Sequence, residues 1–371
     1  MVLKNIRPAS GVRAATVDQD VFADWLRAPQ RFPNTRYQGS KRKLAASIVS
    51  HALELPFTTV LDAFGGTGAV AYAFKGADKH VVYNDALAFN HQIGTALIEN
   101  TSVALSEVEI ESIGRRQAGV TYGDVIERTF DGIYFTREEN QWLDVAVGNI
   151  QLIECRFKRA LAWFAVLQAA IAKRPYNLFH RRNLYMRMAD VSRGFGNKAS
   201  WDRSFPDHVR RFAAAAATAC FDNGQSCRAI CSDALAVPGS YDLVYIDTPY
   251  INRNGVGVDY RDFYHFLEGM LRYDAWPEMI DRGSKHRRLV RTTDPWSDPD
   301  ACREAFRSLF AKFSDSIIVV SYRSDGIPAV DELVAMLRDV KRDVRRIEGD
   351  TYQYALSTNR NAREVLLIAS D

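Results

Sequence analysis

Two short segments, about half the chain apart, constrain the fold more than anything else in the sequence. In Val60-Leu61-Asp62-Ala63-Phe64-Gly65-Gly66-Thr67-Gly68 an apolar run meets three glycines. In Tyr241-Asp242-Leu243-Val244-Tyr245-Ile246-Asp247-Thr248-Pro249-Tyr250 a second apolar run ends in Asp-Thr-Pro-Tyr. Short apolar runs bounded by turn residues read as fully buried strands of a parallel sheet. Ligands of open α/β sheets bind in the crevice beyond the carboxyl ends of such strands. The pair therefore points to a nucleotide-like cofactor beside a site that combines an acid and an aromatic ring.

The neighbouring sequence supports an α/β unit. After the glycine turn comes a helical stretch at 69–75, then a strand at 80–83 that ends in Asn84-Asp85. Its length is that of a βαβ unit. Further strands are expected at 59–63, 228–231, 241–246, 316–321 and 364–368. A helix with apolar spacing (Leu44, Ile48, Val49, Ala52, Leu53) follows Lys41, and residues 88–172 are mostly helical in pattern. A short helix is expected at 21–27 in an otherwise loose N-terminal arm.

The glycines at 65, 66 and 68 let the backbone turn tightly and approach a ligand. The following helix N-terminus then presents its N–H groups to that ligand. Asp85 stands at the end of the next strand, where a carboxylate holds ribose hydroxyls. The turn is neither G-x-G-x-x-G nor G-x-x-x-x-G-K-[ST], so a nucleoside-bearing cofactor fits better than a phosphate cradle.

Asp-Thr-Pro-Tyr carries its own geometry. Pro249 biases Thr248 to an extended backbone and so fixes the direction of the Thr248 carbonyl. That carbonyl and the Asp247 carboxylate are two acceptors beside the Tyr250 ring. Such a trio suits a planar ring bearing an exocyclic NH2. Accepting both N–H bonds frees the nitrogen lone pair, and the carboxylate stabilises the positive charge that develops as the nitrogen attacks. The plainer reading is a strand-end turn with a capping Asp.

Net charge is only +3, from 48 Lys and Arg against 45 Asp and Glu, so whole-chain charge does not announce a nucleic-acid partner. The distribution is uneven. Residues 174–211 hold nine Lys or Arg against three Asp, interleaved with aromatics and with Gly194 and Gly196. This stretch reads as a contact face for phosphates or as a solvated basic face, and 282–291 poses the same choice. Trp163 and Phe164 read as core. Tyr260, Phe263, Tyr264 and Phe266 read as helix packing ahead of base contact, and the seven His as surface or helix packing, with phosphate contact the alternative for His180 and His208. The five Cys form no paired C-x-x-C, and no metal site is expected. The longest apolar run, 160–172, is too short to span a bilayer, and the N-terminus lacks an apolar signal core. A cytoplasmic protein without a membrane is expected.

At these residues the chain resembles the Dam-like (D12 class) N6-adenine-specific DNA methyltransferases. Tyr37-Gln38-Gly39-Ser40-Lys41 resembles that family's N-terminal cofactor motif. The segment 62–68 is similar to its glycine-rich motif, Asn84-Asp85 to its ribose acid, and Cys231-Ser232-Asp233 to the segment that reaches the cofactor adenine. Asp247-Thr248-Pro249-Tyr250 is similar to the catalytic Asp-Pro-Pro-Tyr, with Thr248 in place of the first Pro. Ser321-Tyr322-Arg323 and Arg363-Glu364-Val365-Leu366 resemble the later structural motifs. The resemblance covers roughly 36–369 and keeps the family's motif order.

The resemblance implies a Rossmann-like α/β methyltransferase sheet, mostly parallel with one antiparallel strand, carrying an inserted, mostly helical DNA-recognition domain. The implied division is an N-terminal arm at 1–33, a catalytic domain at 34–95 and 226–371, and the insert at 96–225. It implies methyl transfer from S-adenosyl-L-methionine to N6 of adenine in double-stranded DNA, with a cognate restriction endonuclease as a candidate partner. Asp247, Thr248, Pro249 and Tyr250 would be catalytic. Tyr37, Lys41, Asp62, Phe64, Gly65, Gly66, Gly68, Asp85, Asp233 and Asp247 would bind cofactor. Arg181, Arg182, Arg187, Arg193, Lys198 and Arg203 would contact DNA, whose target base must leave the stack. N4 of cytosine, adenine in RNA, and a DNA-binding relative without catalysis remain as alternatives.

Overall fold

The computed structural model describes residues 32–37, 39–189, 198–351 and 362–371. All but the last two residues of the expected arm, and with them the helix at 21–27, lie outside the described residues, as do Gln38, Arg193 and the glycines at 194 and 196.

Helix α1 (Ala45–Ala52) leads into strand β1 (Thr59–Asp62); helix α2 (Ala69–Gly76) connects it to β2 (His80–Asn84), and α3 (Ala88–Gly94) follows. Every named element from there to β3 (Arg228–Ile230) is helical, including α4 (Arg137–Gln151), α5 (Arg156–Ala172) and α6 (Phe205–Ala219). The chain then returns to the sheet with β4 (Leu243–Ile246) and the short β5 (Ile251–Asn252). Helices α7 (Tyr260–Phe263), α8 (His265–Leu271) and α9 (Ala301–Lys312) precede β6 (Ile317–Arg323) and β7 (Gly326–Ile327). Helix α10 (Val330–Arg338), β8 (Asp343–Thr351) and β9 (Arg363–Ser370) complete the described chain.

The main sheet has seven strands in the order β3-β2-β1-β4-β6-β9-β8. Pairings from β3 to β6 are parallel; β9 runs antiparallel to both β6 and β8. The fold is thus mixed α/β with a mostly parallel sheet and one reversed strand, as expected. From β1 the chain builds outward to β2 and β3, then returns to place β4 on the other side of β1. The strand order therefore reverses between β1 and β4, the place where such sheets open a crevice. Asp62 pairs in register with Tyr245. The Asp242 carboxylate accepts from the Thr58 and Thr59 N–H groups, both at 2.8 Å, and locks that register at the opposite end.

Alternation along the strands feeds both faces. Val60, Tyr83, Leu243 and Tyr245 point into one core, which runs through α1, α2 and α3 into the buried helix α5. Leu61, Val82, Val244 and Ile246 point into the other, against Phe306, Leu309 and Leu333 of α9 and α10. Trp163 and Phe164 lie in the first core as expected. Strand β8 departs from the sequence reading. Its run Asp-Val-Arg-Arg-Ile-Glu carries few apolar residues, because it is an edge strand whose charges face solvent. No helix among the described residues is long and apolar enough to cross a membrane, and no group of three His, Cys, Asp or Glu is placed to hold a metal.

Candidate active site

The crevice between the ends of β1 and β4 is a cleft of about 310 Å3, within the size range of small-molecule sites. Its lining includes Tyr37, Lys41, Asp62, Phe64, Gly65, Gly66, Asp85, Asp233, Asp247, Thr248, Pro249 and Tyr250. Two segments far apart in sequence thus line one cleft.

The glycine turn is built by close packing. Gly65 donates its N–H to the Asn84 carbonyl at 2.7 Å, and a Cβ there would fall inside the Tyr83 ring. Gly68, the residue before α2, has φ +76°, a left-handed conformation costly for any other residue. Gly68 packs near Ile98 and Tyr83 behind the turn rather than on the cleft wall. Asp85 closes the turn from the β2 side: its carboxylate accepts from the Gly66 N–H at 2.9 Å, the Leu87 N–H at 2.8 Å and the Asn90 amide at 3.1 Å. Burial pushes its pKa up to about 6 even though these three bonds oppose the rise. Asn84 ties the neighbouring wall together. Its amide reaches the Ala63 and Ser232 carbonyls, both at 3.0 Å, and so sets the segment holding Asp233 beside the turn. One Asp233 oxygen accepts the Leu235 N–H at 2.8 Å, capping a short helical turn.

A buried polar network lies at the end of β4. Lys41 Nζ donates to Asp247 Oδ1 at 2.9 Å, to the Tyr250 hydroxyl, and lies 3.1 Å from Glu364 Oε1. The Tyr250 hydroxyl donates to the same Asp247 Oδ1 at 2.6 Å. Ser321 Oγ donates to Glu364. One Asp247 oxygen is therefore pinned twice, and Oδ2 makes no hydrogen bond among the described residues. No main-chain hydrogen bond to the Thr248 carbonyl forms among them either. Strand β5 begins directly after Tyr250 and pairs with β7, anchoring the motif to the strand that follows Arg323.

Seven carboxylates line this cleft (Asp62, Asp85, Asp233, Asp247, Asp259, Glu268 and Asp294) against three cations, Lys41, Arg261 and Arg272. Burial raises the pKa of Asp62 well above its ordinary value, with Asp247 and Asp85 adding repulsion. Burial also raises Asp247, with the Lys41 ammonium pulling it back and Glu364 pushing it further up. Burial alone would strip charge from Lys41, but Asp247 and Glu364 outweigh it and hold the ammonium above its ordinary value. Asp62 Oδ1 is buried without a hydrogen-bond partner. A cleft with this charge favours a cationic ligand with hydrogen-bond donors.

Several lining residues were not singled out in the sequence. Asn90 holds both Asp85 and, at 3.3 Å, the Tyr37 hydroxyl. Trp296 stands edge-on to Phe64 at 5.0 Å. Tyr260, read from the sequence as helix packing, instead stacks on Tyr37 at 5.6 Å and lines the cleft, whereas Tyr264 and Phe266 are core.

The basic stretch divides by burial. Arg181, Arg182, Lys198 and Arg203 are exposed. Lys198 pairs with Asp202 at 2.7 Å, and Arg203 is close enough to Arg36 for repulsion to add to burial in lowering the Arg36 pKa. Arg187 corrects the sequence reading. Its guanidinium is buried, forked onto Glu139 at 2.9 and 2.7 Å and bonded to the Tyr134 carbonyl at 3.1 Å, so it cannot face a phosphate. His208 is likewise buried, on the Ser200 carbonyl at 2.7 Å. Arg187→Ala is expected to lower unfolding free energy by about 3 kcal/mol, as for a broken buried pair. The salt dependence of DNA binding should not change, and urea unfolding beside a binding titration checks both.

Residues 37–276 match the family described as D12 class N6 adenine-specific DNA methyltransferase. The chain is 26% identical over 326 residues to Type II methyltransferase M2.HphI of Haemophilus parahaemolyticus, which covers 86% of this chain and 91% of that protein. It is 26% identical over 348 residues to Modification methylase LlaI of Lactococcus lactis subsp. lactis, covering 88% of this chain and 52% of that protein. Modification methylase StsI of Streptococcus sanguinis is also 26% identical, over 364 residues, covering 89% and 51%. The chain spans about half the length of the last two.

Proposed function

The chain belongs to the D12 class N6 adenine-specific DNA methyltransferases, and from that premise we propose which residues carry the reaction and which cofactor they hold. It is a DNA adenine methyltransferase, and by this proposal its β1–β4 cleft takes S-adenosyl-L-methionine and a flipped adenine from double-stranded DNA. The observation that carries it is the placement of the pinned Asp247 and the Thr248 carbonyl on one wall of a cleft whose other wall is the glycine turn with Asp85.

The residues present fit this cofactor. An excess of lining carboxylates over cations, with Asp247 and Asp85 both repelling Asp62, and an unpartnered Asp62 oxygen suit a ligand with positive charge and N–H donors. Asp85 would accept from ribose hydroxyls, Phe64 and Trp296 would flank the adenine of the cofactor, and Asp233 would accept from it. When bound, the cofactor supplies an electrophilic methyl group on a sulfonium.

The protein's own part is to hold the amine and its developing charge. Asp247 Oδ2 and the Thr248 carbonyl accept the two N–H bonds of the target amine, and the Tyr250 ring packs against the base. Held this way, the adenine N6 would present its lone pair to the methyl group that the bound cofactor would supply. Positive charge on the nitrogen is stabilised by the fixed Asp247 carboxylate, and the extra proton passes to that carboxylate or to water. Thr248 should serve as well as a proline here, because its backbone carbonyl is the working atom and Pro249 constrains it.

The exposed residues Arg181, Arg182, Lys198 and Arg203, within an insert at 96–225, would hold DNA phosphates. The two relatives named modification methylases support a cognate restriction endonuclease as a partner. Incubating duplex DNA with methyl-labelled cofactor and digesting it to nucleosides tests the reaction. N6-methyladenine as the labelled product is expected; N4-methylcytosine, or label in RNA alone, would contradict it.

Cofactor affinity should also depend on pH. Ionised Asp85 is the form that accepts ribose hydroxyls. With its pKa at about 6, affinity is complete above that value and falls as pH drops through it, approaching tenfold per unit below. Calorimetric titration across this range checks the slope, and Asp85→Asn should bind more weakly and lose the dependence.

A further inference from the structure

Outside the cleft, the densest uncommitted charge is on the loop 281–291. It holds Arg282, Lys285, Arg287, Arg288 and Arg291 against one acid, Asp281. The loop is a closed hairpin. An antiparallel bridge joins Ile280 to Leu289; the Asp281 N–H donates to the Arg288 carbonyl and the Val290 N–H to the Met279 carbonyl, both at 2.8 Å. Arg287 sits at φ +57°, held by its N–H on the Ser284 carbonyl at 3.1 Å and its guanidinium on the Arg282 carbonyl at 2.7 Å. A bulky residue in this conformation persists only where its surroundings fix it, and such residues gather at functional segments.

Two fixings place the hairpin. The buried Tyr134 hydroxyl lies within hydrogen-bond distance of the His286 carbonyl, at 2.9 Å, and of the Phe179 carbonyl. The hairpin and the segment leading to Arg181 and Arg182 thereby meet at one oxygen, whose single proton serves one carbonyl at a time and which His265 Nε2 also approaches at 2.7 Å. At the other end, the Arg261 guanidinium bonds the Val290 carbonyl at 2.9 Å and Thr292 Oγ1 at 3.1 Å. Arg261 and residues 292–296 line the cleft. Basic residues about a hundred positions apart thus lie on neighbouring segments that lead to the cleft rim. Arg288 leans on Asp281 and Arg291 on Asp262, but Arg282 and Lys285 form no ion pair among the described residues.

We infer that the 281–291 hairpin is a second contact for the duplex DNA backbone, which continues the face of Arg181 and Arg182 to the rim where the target base enters. This rests on the reading of duplex DNA as substrate. A polyanion with regularly spaced phosphates is the partner that two exposed cations without an ion pair, Arg282 and Lys285, fit on a basic hairpin. Val290, exposed beside Arg291, adds an apolar contact at the rim.

The test uses the full chain carrying Arg282→Ala with Lys285→Ala, and a mixed-sequence duplex of ~30 base pairs, about three helical turns. Binding is followed by anisotropy between about 50 and 200 mM salt. The slope of log affinity against log salt should fall by about 2, with Kd and the KM for DNA rising on the order of tenfold at moderate salt. Cofactor affinity should match wild type. Arg282→Lys with Lys285→Arg should keep the wild-type slope. If the double alanine variant loses cofactor binding, Lys285→Ala alone decides, with an expected fall of about 1. A wild type that binds and methylates DNA, beside alanine variants of unchanged slope and KM, overturns the hairpin contact alone. A wild type that binds no duplex overturns the substrate reading with it.

Discussion

Asp247→Asn is expected to lower kcat by about 10²–10³-fold, the cost of removing one preorganised charge from a transition state. The substitution keeps the shape of the side chain, and one oxygen can still accept an N–H. It removes the negative charge that the developing ammonium-like nitrogen needs. It also sets an amide donor where Asp247 Oδ1 now accepts from both Lys41 and Tyr250. Cofactor affinity should change by less than about tenfold, or 1.4 kcal/mol. Single-turnover kinetics beside calorimetry separate the two effects. Unchanged turnover would remove Asp247 from the chemistry.

Lys41→Met should be the most destabilising of these substitutions. Lys41 is nearly buried and faces two carboxylates, Asp247 and Glu364. Without the ammonium both stay in a low-dielectric site with no cation, a loss of about 3–5 kcal/mol by analogy with broken buried pairs. Urea unfolding measures it. The activity should carry a second mark. Burial and Glu364 already raise the Asp247 pKa, and Lys41 is what pulls it back. Removing Lys41 moves that pKa further up, so any residual methyl transfer should climb with pH where the wild type is flat. A variant of wild-type stability and pH profile would mean that the Lys41 network does not set the charge of Asp247.

Much of this was legible in the chain because the two decisive strands are buried on both faces and read as unbroken apolar runs. Their carboxyl ends came together once β4 returned next to β1, with Asp62 beside Tyr245 and Asp247 two residues beyond. Strand β8 was not legible, since an edge strand with charges outward has no apolar periodicity. The environment of a charge was not legible either. Arg187 and Arg181 look alike in a basic stretch, yet Glu139, far back on α4, buries one of them. Asn90 and Trp296 reach the cleft only through tertiary packing, and nothing local marks them. Glu364 was matched as part of a structural motif; the fold makes it the second carboxylate on Lys41.

The most direct test is a crystal structure with a non-reactive cofactor analogue and a duplex bearing the sequence the protein methylates. The expected result is an extruded adenine whose N6 lies about 2.7–3.2 Å from both Asp247 Oδ2 and the Thr248 carbonyl, with the analogue between Asp85 and Phe64. An adenine still stacked in the helix, or an amine held by other groups with Asp247 turned away, would contradict the account.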